Sequence, residues 1–196
     1  MGHAIPRIEY KNTDTTGDVT TGSNTISGVL GDTDFIEAGM FVRGAGIPVG
    51  ATVSSVAGDS VNFLGLPATA MGEDVNVFFG YEIEFDYPPK NPNGETLDTK
   101  ATISESLSGI RQVSKNFTEA SVKLAFSFLS PALYIKVDDF LKSWALAGND
   151  FRYFEDKTLP AYVSYELDTL KVTPAKIASR GTSYVWEVPL VFRRIV

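Results

Sequence analysis

The chain has 196 residues, enough for one large domain or two small ones that each bury a core. Its 43% hydrophobic and 21% charged residues are ordinary for a folded protein, and no segment approaches the apolar run of about 20 residues that a membrane-spanning helix needs. Zero cysteines exclude disulfide scaffolding and thiol nucleophiles, a single histidine, His3, leaves little for imidazole chemistry, and a net charge of −7 works against nucleic acid and anionic membranes.

The first seven residues lack the charged and then apolar layout of a secretory signal, so synthesis in a cytoplasm is expected. Residues 5–10 read as a short strand with Ile8 and Tyr10 on one face, followed by a polar, turn-rich exit over residues 12–18. Residues 16–80 then differ in composition from both flanks, being poor in Lys and Arg and rich in Gly, Thr, Val and Ala. Strands are predicted there at 24–29, 40–43, 52–56, 60–63 and 75–79, with Ala57-Gly58-Asp59 as a hairpin turn. In the run Gly39-Met40-Phe41-Val42-Arg43-Gly44-Ala45-Gly46-Ile47-Pro48-Val49-Gly50-Ala51-Thr52-Val53, glycines and a proline cut the apolar pairs into pieces too short for helices. That is tight-turned β structure.

After this block Tyr81, Ile83, Phe85 and Tyr87 alternate with Glu82, Glu84 and Asp86, the period-two signature of a half-buried strand, which Pro88-Pro89 ends. Asn91-Pro92-Asn93-Gly94 reads as a loop. Two strands are predicted over residues 101–129, with a hairpin near 114–118. In the second, Ala120, Val122, Leu124, Phe126 and Phe128 share one face, opposite Glu119, Ser121, Lys123 and Ser127.

From Ser130 the period changes. A serine N-cap, a proline in the first turn and apolar residues at Leu133, Tyr134, Val137, Phe140, Leu141 and Trp144 predict a helix that ends at Gly148. Strands follow at 151–154, 161–167 and 171–179. The last segment, with Tyr184, Trp186, Val188, Leu190 and Phe192 on one face, is a long strand in which Pro189 points to an edge or a bulge.

These elements define a mainly β protein. Its main domain is α+β, an antiparallel β-sandwich or split barrel with one packed helix, and it carries a small all-β inserted domain. Because 5–10 and 81–87 are similar amphipathic strands flanking the block, the main domain is read as discontinuous, residues 1–15 and 81–196, with the insertion at 16–80.

Catalytic equipment is hard to assemble from these residues. Gly44-Ala45-Gly46 resembles a phosphate-cradling loop only superficially, since Ile47-Pro48 and Gly50 forbid the helix that such a loop must open. The turn acids Asp14, Asp18, Asp32 and Asp34 do not fall in the spacing of a calcium loop, and Arg193-Arg194 is too small a basic cluster to hold nucleic acid. Glu82, Glu84 and Asp86 occupy one strand face about 7 Å apart, compatible with acid–base work or with a solvated or acidic functional surface. No catalytic residue, cofactor or metal site is expected, and the chain is not read as an enzyme.

The segment Thr21-Gly22-Ser23-Asn24-Thr25-Ile26, the run from Gly39 to Val53 quoted above and Ala68-Thr69-Ala70-Met71-Gly72 together resemble a β module that recurs in tail and virion proteins of bacteriophages. The remainder is similar in outline to the tail-tube-like domain of distal tail and minor tail proteins. The resemblance implies a structural subunit of the virion tail, assembled in the host cytoplasm as a homo-hexameric ring between the tail tube and the baseplate hub or fibres. DNA would pass through such a lumen without being stably bound, and no membrane would be engaged. Six copies would carry roughly −42 formally, and an acidic wall would discourage DNA from sticking, with Glu82, Glu84 and Asp86 as a candidate lumen face. A capsid decoration or neck protein, and a module that binds host glycan, are the alternatives.

Overall fold

The computed structural model describes residues 4–31, 33–89, 96–105, 111–168, 172–180 and 183–194, with backbone alone for the strand residues within 96–120 and 177–184. The chain divides into two compact units, one of Met1–Ile8 with Glu84–Val196 and the other of Glu9–Ile83. The sequence boundaries at 15/16 and 80/81 therefore sit several residues inside the second unit. Two strands, β1 (Arg7–Val19) and β6 (Gly72–Glu84), carry the backbone across the division without a break, so no turn marks it in the sequence.

Residues 9–83 form a small closed barrel. Besides β1 and β6 its strands are β2 (Thr25–Ser27), β3 (Phe41–Gly44), β4 (Thr52–Ala57) and β5 (Ser60–Leu64). The neighbour order is β1-β2-β5-β4-β3-β6, and β6 lies beside β1, completing the circle. Closure removes the open edges that such short strands would otherwise expose. Inside, side chains alternate in from every strand, among them Val19, Ile26, Val42, Val53, Phe63, Val77 and Phe79, and the loops add Ile36, Met40 and Ile47. Gly58 (φ 61°) turns β4 into β5 as the sequence predicts.

Two expectations fail within the barrel. Residues 12–18 are not a turn but the second half of β1, where Asp18 pairs with Ser27 and Val19 with Ile26. The β-branched Thr13, Thr15 and Thr16 suit a strand once neighbours supply backbone partners, and the irregularity is taken up at Lys11, whose φ is 51°. Similarly, the strands predicted at 75–79 and 81–87 are one, β6, which ends at Glu84, so Phe85 to Tyr87 lie beyond it. Gly80 reads as a break but serves close packing. A Cβ there would lie 2.4 Å from Asn12 Oδ1 and 3.0 Å from the Phe41 ring.

The other unit is a mostly antiparallel sheet covered by one helix. Its strands are β7 (Thr96–Glu105), β8 (Arg111–Leu129), β9 (Phe151–Phe154), β10 (Val163–Leu167), β11 (Ala175–Arg180) and β12 (Ser183–Arg194), in the order β9-β10-β12-β8-β7, with β11 against the first half of β12. The helix α1 (Pro131–Ser143) begins where predicted, since the Ser130 hydroxyl accepts a hydrogen bond from the Leu133 N–H. It buries Leu133, Val137, Phe140 and Leu141, and a 3-10 turn (Ala145–Ala147) leads to Gly148 in the left-handed conformation. Phe140 meets Phe151 edge to face at 5.1 Å, Phe151 meets Phe192 at 4.9 Å, and Phe85 stacks on Phe126 at 3.9 Å. This aromatic core is what the alternating patterns of β8 and β12 are for.

Register accounts for two more corrections and for the irregularity expected at Pro189. Residues 114–118, read as a hairpin turn, lie inside β8, which pairs with β7 from Thr96↔Ser121 to Glu105↔Arg111. On β8 three steps from Phe126 to Leu129 oppose two on β12, Val188 to Trp186. The extra residue is a bulge that inverts the alternation, so Ser127 is buried and Phe128 is 55% exposed, contrary to the predicted face. Pro189, in register with Ala125, follows this shift, so the bulge expected near it is present although β12 is not an edge strand of the sheet; it falls between the stretch of β12 paired with β11, ending at Glu187, and the stretch paired with β10, beginning at Phe192. His3, Asp32, Lys171 and the loop at 91–94 lie outside the described residues.

Candidate functional site

The acidic row predicted from the sequence is divided by the fold. Glu82 belongs to the barrel, where it and Glu9 of β1 both accept from the guanidinium of Arg43 on β3. The Glu9 side chain is only 4% exposed, so the arginine neutralises a carboxylate withdrawn from water. Burial alone would lower the Arg43 pKa, but the hydrogen bond to Glu9 and the charges of Glu82 and Glu9 outweigh it and raise it. Glu84 belongs to the other unit, where Lys157 Nζ donates to it at 3.1 Å. Asp86 is exposed, past the end of β6. Two of the three acids are thus in ion pairs, and their charge is offset.

A second polar group lies on the barrel near Tyr10. Lys11 Nζ donates to Glu37 Oε1 at 3.1 Å, and the Tyr81 hydroxyl donates to Glu37 Oε2 at 2.9 Å. The Lys11 hydrogen bond, then that of Tyr81, hold the Glu37 carboxyl below its ordinary range, while burial, then Glu37, pushes the Tyr81 hydroxyl up to about 12. Sequence reading missed both groups. Their members are tens of residues apart and meet only when the barrel closes.

Three surfaces are open to a partner. The barrel has a groove of about 500 Å³ lined by Asp14, Thr15, Thr16, Leu30, Asn76 and Phe78. In the other unit, the bulge turns Phe128 outward against Tyr87, rings 6.4 Å apart and edge to face, with the two side chains 55% and 59% exposed. The third surface is backbone. β12 accompanies β8 only as far as Ser121, so the ribbon that continues, residues 97–105 with 111–120, is two-stranded and open on both sides among the described residues. At about 3.3 Å per residue it is about 30 Å long.

Among the described residues, no group of three His, Cys, Asp or Glu could hold a metal ion. No protein-family model, curated protein or solved structure matches the chain.

Proposed function

We propose that the chain is a structural virion protein of a long-tailed bacteriophage, a distal tail subunit that closes into a ring, of six copies, joining the tail tube to the baseplate or fibres. The observation that carries this reading is the two-stranded ribbon of β7 and β8. An isolated two-stranded ribbon is at best marginal in water, and its unpaired N–H and C=O groups are satisfied by a further extended strand. A neighbouring copy supplies one, because the same chain offers β7 and β11, each paired on one side only among the described residues. Head-to-tail contacts of this kind close into rings when the rotation per copy divides a full turn. The barrel, with its own core, is then an accessory module carried by the ring.

A second reading, a module that binds host glycan, is favoured by the barrel groove, whose lining includes an aromatic, Phe78, together with the polar Asp14 and Asn76. Sedimentation of the purified full-length chain, with and without a panel of bacterial surface glycans, separates the two. A mass near six chains that glycans do not change supports the ring. A monomer that binds glycan supports the module.

A further inference from the structure

Charge is divided unequally between the two units. Residues 9–83 hold ten acids and two bases, a net of −8, while the rest of the chain holds fourteen acids and fifteen bases, a net of +1. The whole excess of negative charge is therefore the barrel's. Its two bases are already engaged within it, Arg43 with Glu9 and Glu82, and Lys11 with Glu37. The acids beyond these pairs include five exposed ones, Asp14, Asp34, Asp59, Glu73 and Asp74. They come from β1, the 3-10 turn Thr33–Phe35, the turn between β4 and β5, and the start of β6, so no single element accounts for them. Such an excess adds nothing to the stability of the barrel, because like charges repel through a compact module.

We infer that the barrel is an electrostatic brake on assembly of the ring, an inference that rests on the ring reading. In that reading copies join through the sheet unit, whose net of +1 opposes their approach little, and each brings a barrel of −8 with it. Six barrels carry roughly −48 formally. A compact module of 75 residues is about 30 Å across. The Debye length is about 30 Å at 10 mM salt and about 8 Å at 0.15 M. At low salt, then, barrels repel one another without touching, whereas at 0.15 M the repulsion dies away within a fraction of a barrel's width. Ionic strength sets the brake: dilute salt holds copies apart, and rising salt lets them join. A contact made chiefly of ion pairs between copies would respond in the opposite sense, weakening as salt rises.

The test is sedimentation of the full-length chain over a concentration series at about 10 mM and about 0.15 M salt, together with two variants that each bring the net charge from −7 to −4. One neutralises barrel acids, combining Asp59→Asn, Glu73→Gln and Asp74→Asn. The other neutralises exposed acids of the sheet unit, combining Asp139→Asn, Asp150→Asn and Glu155→Gln. The parent is expected to need an about tenfold higher concentration to associate at the lower salt. The barrel variant loses most of that difference, and the sheet variant keeps it. Should the triple barrel variant fail to fold, Asp59→Asn alone, in the exposed turn between β4 and β5, takes its place with a smaller shift in the same direction. A parent that assembles equally well in both salts, or better in the lower one, overturns the brake and leaves the ring standing. Two variants that lose the difference alike also overturn it, because net charge and not the barrel is then responsible. A parent that stays monomeric in both salts at every concentration overturns the ring and the brake together.

Discussion

Gly46 and Gly50 lie in the same turn-dense run with nearly equal backbone angles, φ 80° and 86°, yet their surroundings differ. A Cβ on Gly46 would lie 2.9 Å from the Ala70 carbonyl oxygen, whereas one on Gly50 meets nothing within 4 Å. Gly50→Ala should therefore destabilise by only the left-handed penalty, ~1 kcal/mol, and Gly46→Ala by ~3 kcal/mol, because backbone must also move. Urea unfolding of the full-length variants checks this, and equal losses would contradict it. Arg43→Met should cost ~3 kcal/mol by leaving Glu9 charged and buried, and adding Glu9→Gln should recover most of that loss by the same assay. For Glu37 the folded pKa lies below the ordinary 4.5, so its stabilising contribution is present above the unfolded pKa and is lost as pH falls through the folded value. The carboxylate is largely exposed, so the effect is small, about 0.5 kcal/mol. Thermal unfolding between pH 5 and pH 3 should accordingly fall slightly less steeply for Glu37→Gln than for the parent.

At the scale of elements, Ser130→Ala removes the hydroxyl that accepts from Leu133 N–H and should lower stability by ~1 kcal/mol, measured by chemical denaturation, with Ser130→Asp largely restoring it. That helix was legible because its cap, first-turn proline and 3.6-residue period agree. The short strands of the barrel were legible because Gly and Pro bracket each of them. What the sequence hid was backbone irregularity. Phe128 and Lys11 adopt positive φ without being glycine or asparagine, so nothing in their identity announces a bulge, and the faces beyond them are inverted or prolonged. Gly80 errs in the other direction, looking like an interruption while lying inside a continuous strand. The acid row was visible as a row, but Arg43 and Lys157, which pair with two of its members, are 39 and 73 residues away along the chain.

For the whole molecule, a closed barrel and a sheet with open edges make different demands. The barrel satisfies its own strand edges and buries its own core, while the other unit extends a ribbon with no further strand on either side among the described residues. In the proposed ring, self-assembly therefore belongs to the sheet, and the barrel is carried as cargo. Averaged electron micrographs of the purified full-length protein test this most directly. The account predicts closed rings of six copies around an open centre, with neighbouring sheets joined through the β7–β8 ribbon. Single particles the size of one chain at every concentration, or rings joined through the barrel, would contradict it.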